Sequence, residues 1–311
     1  MIIKDNLYFD RKDWISPSDI RGVRTPLEFL TKKNAPAEQK AAFDIGTAFH
    51  TLVLEPEQFE KDVKVILNKE LPSPFAINRD GTPSLSGKGN KEYIESIRTA
   101  NPGKSILFET QFALISAMRD SVMSMKGINE IFDFKNGIIE HAFYVKYVFK
   151  PNGSLAKVEP VDVDYKVKNE YEIKVRTRPD FVHKTKFFDV DLKSTTDASP
   201  AGFSKTASEY EYDIQAAMGL DIVSACLGKE YETFLFIAVE KSEPYSAVLY
   251  DLLYEDIIDA QMIYLRRLNM IREAINSNYF KGYEVYSDNE YGMITLAMPA
   301  WSKKSRIEAK F

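Results

Sequence analysis

Asp180, Asp191 and Lys193 have the types and spacing that could do chemistry. Asp180 closes the run Arg178-Pro179-Asp180. Asp191 and Lys193 stand in Phe187-Phe188-Asp189-Val190-Asp191-Leu192-Lys193. The two runs read as a β-hairpin with strands over Glu170 to Val182 and Lys186 to Ser194. Alternation puts Asp189, Asp191 and Lys193 on one face and Val190 and Leu192 on the other. On the first strand Lys174, Arg176, Arg178 and Asp180 share a face. Two carboxylates brought together by a hairpin can hold a hard divalent cation such as Mg2+. A lysine two residues beyond the second carboxylate lands beside that ion, where it can orient or deprotonate a water or offset charge on a phosphate. Those parts suffice for metal-assisted phosphodiester hydrolysis. The same residues also fit a surface salt bridge of small value. The flank of Phe187, Phe188, Val190 and Leu192, which reads as a strand with one face in a core, weighs against that plainer account.

Further candidates lie outside the hairpin. His50 falls one helical turn after Gly46 on an apolar helix. It is either a histidine hydrogen-bonded at a core edge or an imidazole that completes a metal shell. His183 reads as a turn residue, and His141 points opposite Glu140. Glu140 starts a β-rich run and is either a strand-edge acid or another oxygen ligand, since a strand beside the hairpin would bring it near Asp180. Gln215 lies on the helix after the hairpin, with Tyr212 three residues earlier. Near a metal its amide could hold a phosphate or the attacking water.

The elements that must position these residues follow from patterning. Ser16-Pro17 and Thr25-Pro26 are helix starts with a cap and a proline at the first helical position. A helix is expected from about Ala37 to Glu55, others at Tyr93 to Ile97 and Thr110 to Met125, and a loop over Pro72 to Gly89. Gly137 to Phe149 alternates as a strand, and Leu155 to Asn169 suggests an extra strand pair. Ser199-Pro200 starts a helix. Glu209 to Leu227 is a longer one stopped by Gly228, Glu232 to Glu240 and Ser246 to Leu253 are strands, and Tyr254 to Asn278 is an amphipathic helix. The expected fold is α/β: a mixed central sheet flanked by helices, with an N-terminal helical elaboration. It is read as one domain over 1–311, with a mainly helical portion over 1–130, a core over 131–278 and a tail over 279–311.

Bulk properties bound the function. The chain has 311 residues, 44% of them hydrophobic and 28% charged, enough to bury a sizeable core. No long apolar run indicates a membrane helix. The start Met1-Ile2-Ile3-Lys4-Asp5 lacks the pattern of a secretory signal, and a cytoplasmic location is expected. The single Cys226 excludes an internal disulfide framework and a cysteine-held iron–sulfur cluster. A net charge of −5 argues against coating nucleic acid through overall positive charge, but leaves room for a local basic groove.

The order Gly46-Thr47-Ala48-Phe49-His50, Glu140, Arg178-Pro179-Asp180, Asp191-Leu192-Lys193 and Gln215-Ala216-Ala217 resembles the PD-(D/E)XK nuclease superfamily. More narrowly it is similar to the RecE, or exodeoxyribonuclease VIII, type of phage and prophage exonuclease. Ser16-x-Ser18, Thr25-Pro26-Leu27-Glu28-Phe29 and Ser194-Thr195-Thr196-Asp197-Ala198-Ser199-Pro200 support the narrower likeness, which spans roughly Ser16 to Val248. The resemblance implies metal contacts from His50, Asp180 and Asp191, with the Leu192 backbone carbonyl as an additional ligand. Lys193 would be the catalytic lysine aligning the attacking water, Glu140 a supporting acid and Gln215 the glutamine of the following helix. Arg178, Lys205 and Tyr212 are candidates for phosphate contact. The family usually carries a tyrosine shortly after that glutamine. Here Met218 and Gly219 stand in its place, with Tyr212 as the substitute from the previous turn. The implied activity is Mg2+-dependent (alternatively Mn2+-dependent) degradation of one strand of linear duplex DNA from its 5′ end, leaving a 3′ overhang in a bacterial host. A ring-shaped homo-oligomer and a single-strand annealing recombinase partner are implied with it. Two rival readings are a structure-specific or restriction-type endonuclease of the same superfamily and a non-catalytic DNA-binding protein with this fold.

Overall fold

Proline placement sets the first elements of the computed structural model, which describes residues 2–4, 8–35, 45–72, 78, 84, 88–287 and 289–300. After β1 (Ile2–Ile3), Ser16-Pro17 opens α1 (Pro17–Ile20) and Thr25-Pro26 opens α2 (Pro26–Asn34), where the Thr25 hydroxyl accepts from the Glu28 N–H at 3.2 Å. Next come α3 (Ile45–Leu54), α4 (Pro56–Asp62), β2 (Val63–Ile66), α5 (Lys88–Ala100), β3 (Ser105–Phe108), α6 (Glu109–Met123) and α7 (Ile128–Ile131). Of the helix expected from Ala37 to Glu55, residues 37–44 lie outside the described residues, as does most of the Pro72 to Gly89 loop. The portion read as mainly helical also carries the parallel pair β2–β3.

The central elements are β4 (Gly137–Ile139), β5 (Ala142–Phe149), β6 (Leu155–Pro160), β7 (Glu172–Thr177), β8 (Phe181–His183) and β9 (Phe188–Thr195). They continue into α8 (Pro200–Glu209), α9 (Tyr212–Leu227), β10 (Thr233–Glu240), β11 (Ala247–Asp251) and α10 (Tyr254–Ser277). One sheet has five strands in the order β11-β10-β9-β8-β4, with β9 and β10 parallel. A second has β1-β5-β6, with β7 paired to the β5 strand. The mixed sheet flanked by helices expected from the sequence is present. Phe188, Val190 and Leu192 of β9 pack with Phe49 and Leu52 of α3 and Ile115 and Met118 of α6. The other side of that sheet, with Phe234, Phe236 and Ala238, packs against Ile214, Met218 and Ile222 of α9.

Four expectations are corrected. The strand read from Gly137 to Phe149 is broken at Glu140–His141, and the strand read from Glu170 to Val182 is broken at Arg178–Asp180. Pro179 has no N–H to give a ladder, and Glu140 adopts φ +49°, a left-handed conformation uncommon for a residue with a Cβ. The hairpin partner of β9 is therefore β8 alone, while β7 pairs with β5 in the other sheet. Since β4 pairs with β8 and β5 with β7, both long strands kink at the same level as they pass from sheet to sheet. Leu155 to Asn169 holds one strand, β6, rather than a pair. The helix expected from Glu209 is interrupted, because Glu211 also adopts a left-handed φ of +49°.

Candidate metal centre

The paired kink brings the acids together. The Glu140 N–H donates to the Asp180 carbonyl at 3.2 Å, which fixes the two breaks side by side. Asp180 Oδ2 accepts the Leu192 N–H at 2.7 Å from the neighbouring β9 strand. From the opposite wall α3, anchored by buried Phe49, Leu52 and Val53, presents His50, whose Nδ1 lies 3.2 Å from Asp180 Oδ2. One ligand atom each from His50, Glu140 and Asp180 lie within 4.8 Å of one another, a group that could hold a metal ion. The Glu140 carboxylate is steadied by Arg178 Nε at 3.1 Å.

Asp191 stands beside this trio rather than in it. Its Oδ2 pairs with Lys193 Nζ at 2.5 Å and its Oδ1 accepts from Gln215 Nε2. Gln215 Oε1 in turn accepts from Lys193 at 3.3 Å and from Arg21 at 3.1 Å. The Lys193 ammonium sits 4.6 Å above the Tyr212 ring centroid, and Tyr212, offered as a phosphate contact, is not among the residues lining the cleft. The Leu192 N–H points to Asp180, and in an extended strand the carbonyl of the same residue faces the same edge. Lys205 is exposed on α8 and likewise is not among the residues lining the cleft, so the expected phosphate contact is not prepared there. Asp189, on the same strand face as Asp191, is fully buried with neither carboxylate oxygen partnered. Burial first, then the charges of Asp191 and Asp180, hold its pKa well above the usual carboxylate range, and it is not among the residues lining the cleft.

His50, Glu140, Asp180, Asp191, Lys193, Gln215 and Arg178 all line one cleft of about 790 Å3. The cleft also takes in Arg21 and Phe9, which patterning did not single out. They sit on short irregular segments with no periodicity to mark them. The one sequence signal for Arg21 is its place just past the Ser16-Pro17 helix start.

Electrostatics in the cleft favour a cation. Burial works against a charged His50, but Asp180, followed by Asp191 and Glu140, outweighs it and lifts the imidazole to about 9. Burial and the neighbouring Asp180 raise Glu140 to about 7, against the pull of Arg178 and His50. For Asp180 burial raises the pKa, but His50, Lys193 and the Leu192 N–H outweigh it and the net shift is down. Asp191 is shifted up, mainly by burial. In the metal-free protein an imidazolium thus supplies the positive charge that three acids demand. Two carboxylates are donors suited to Mg2+ or Mn2+, the added imidazole nitrogen is a borderline donor that favours Mn2+ over Mg2+, and binding such an ion there would expel the His50 proton.

The profile of a PDDEXK-like domain of unknown function (DUF3799) matches residues 22–279. The chain belongs to this PDDEXK-like family. The matched span contains every one of the metal-site candidates, and it places the chain in the PD-(D/E)XK nuclease superfamily. Among solved structures, the "putative exonuclease" of Eubacterium rectale is similar in fold, at 13% identity and TM-score 0.52, with 96% of each chain covered. The structure of SSO0001 aligns at 13% identity over 72% of this chain and 86% of its own, with a TM-score of 0.25, too low to support an argument. No curated protein sequence matches. The PDDEXK-like frame accounts for what the kinked strands deliver: a nuclease-type cleft that could hold a divalent metal, on a chain with no helix among the described residues long and apolar enough to cross a membrane.

Proposed function

We propose that this PDDEXK-like protein is a Mg2+-dependent exodeoxyribonuclease that degrades one strand of linear duplex DNA from a free 5′ end, acting as one nuclease domain in the bacterial cytoplasm. The observation that carries the reading is the His50–Glu140–Asp180 group on the floor of the cleft with the Asp191–Lys193–Gln215 cluster beside it. The name of the Eubacterium rectale structure, "putative exonuclease", points the same way. The 5′ polarity, the 3′ overhang, a ring of identical subunits and a single-strand annealing partner rest on the motif likeness to RecE-type enzymes.

In this reading His50, Asp180 and Glu140 would hold the ion, and Asp191 and the Leu192 carbonyl would extend the shell. Bound there, a divalent ion would lower the pKa of a water and offset charge on the phosphate. Lys193, held between Asp191, Gln215 and the Tyr212 ring, aligns the attacking water. Arg21 and Arg178 line the same cleft and offer guanidinium groups to phosphate oxygens. Gln215 fixes Asp191 and Lys193 relative to each other. End-labelled linear duplex and closed circular duplex, each with Mg2+ and then with chelator, test the reading. Nucleotide release from the linear form alone, stopped by chelation, is expected. Cutting of the circle would favour an endonuclease, and no metal-stimulated release from either would favour a DNA-binding role.

A further inference from the structure

One side chain in the cleft has no part in the chemistry above. Phe9 is 72% exposed. A phenyl scattered on a convex surface needs no explanation, but Phe9 lines the wall of the catalytic cleft. Its position is fixed from behind. It stands edge-on to the Tyr8 ring at 5.3 Å and 86°, and Tyr8 is buried, with the Arg176 guanidinium 4.1 Å from its ring centroid. The Arg178 guanidinium lies 4.6 Å from the Phe9 centroid, and the same Arg178 bonds Glu140 at 3.1 Å. A single side chain therefore spans from this open ring to a metal-site acid.

A flat, rigid, exposed ring beside a phosphate-handling centre has one natural ligand, the flat face of a base. Stacking of a base on an aromatic side chain is tolerant of sequence, and an arginine on the ring adds to it. We propose that Phe9 is a nucleobase platform: it stacks on the base of the nucleotide next to the phosphate at the metal centre, with Arg178 against the ring. A base inside a duplex is already paired and stacked, so this platform selects a nucleotide splayed out of the helix and makes frayed ends better substrates than paired ones. The proposal takes its ligand class from the nuclease reading but makes its own claim.

Two readouts on the full-length protein test it. Without metal and with chelator, DNA carrying 2-aminopurine at its 5′-terminal nucleotide should be quenched by wild-type protein and by Phe9→Tyr, but not by Phe9→Ala. With Mg2+, Phe9→Ala should lower kcat/KM on normal ends by roughly 5- to 150-fold, while wild type and Phe9→Ala should be equal on ends whose terminal base is replaced by an abasic residue. Because Phe9 is largely exposed, the substitution leaves the core intact. Equal quenching by Phe9→Ala, or an equal loss on normal and abasic ends, would overturn the platform. Quenching without hydrolysis would keep the platform and remove the nuclease reading. Hydrolysis unaffected by Phe9→Ala would do the reverse.

Discussion

His50 makes the clearest pH prediction. Its pKa is lifted from 6.5 to about 9 by the surrounding acids, so in the metal-free protein its contribution to stability is fully present below 6.5 and is lost as pH rises through about 9. His50→Gln should lower the metal-free Tm at pH 6 and leave it nearly unchanged at pH 10. Cation binding has the opposite sign, because the ion competes with the protons on His50 and on Glu140, which titrates near 7. Affinity for Mg2+ or Mn2+ should climb across that range with proton release, measurable by calorimetry in buffers of different ionisation enthalpy, and His50→Gln should flatten the upper part. Lys193→Ala should cost activity on the order of 10²- to 10³-fold and Asp191→Ala should abolish it, with circular dichroism unchanged. A fully active Asp191→Ala enzyme would refute the site. Strand alternation and the Gly46–His50 spacing carry direction, so His50, Asp180, Asp191 and Lys193 could be singled out from the sequence, with Glu140 as an open alternative ligand. What sequence did not show is that Asp191 turns its oxygens to Lys193 and Gln215, leaving Glu140 as the third member of the group. That division depends on the kink, which is tertiary.

At the level of elements, the kink and the packing around β9 and α9 make separable predictions. Gly137 pairs with His183 across the β4–β8 ladder, and a Cβ there would lie 2.3 Å from the ring of the diagonal neighbour Phe181, which is fully buried. Gly137→Ala should destabilise by about 1–3 kcal/mol in denaturant unfolding. Gly219 on α9 is the contrasting case, since a Cβ would meet Asp189 and Phe234 at 3.6 Å, ordinary contact. Gly219→Ala should stabilise by about 0.5–1 kcal/mol, the helix cost of glycine. Runs of β-branched and aromatic residues made β5, β9 and β10 readable, and Ser-Pro or Thr-Pro pairs made the starts of α1, α2 and α8 readable. The breaks were less so. Pro179 marks one of them in sequence, but Glu140 and Glu211 take left-handed φ values because of what they contact: Glu140 is paired to Asp180, and Glu211 accepts from Arg267 at 2.5 and 2.8 Å and from the Gly22 N–H at 2.7 Å. Glu211 and Gly22 thereby tie α1 to the start of α9, which carries Arg21 to Gln215.

Across the whole molecule, a net charge of −5 coexists with a cleft lined by Lys4, Arg21, Arg178 and Lys193. Lys4 pairs with Glu55 outside the metal group, and Arg178 and Lys193 pair with Glu140 and Asp191 within the site, so about three cations (Arg21, Arg178 and Lys193) are the upper bound on those that meet a phosphate backbone at once. With roughly three phosphate contacts, DNA affinity should fall only about 40-fold between about 50 and 200 mM salt, far less than for a protein with a broad basic face. A much steeper slope in binding titrations would mean that the DNA path extends over surfaces beyond this cleft. The central claim is that two kinked strands and one helix converge on a divalent ion. Anomalous scattering from Mn2+-soaked crystals tests it most directly. A peak at roughly 2.0–2.3 Å from ligand atoms of His50, Asp180 and Glu140 is predicted, and an ion bound elsewhere, or no peak at this spot with the cleft open to solvent, would contradict it.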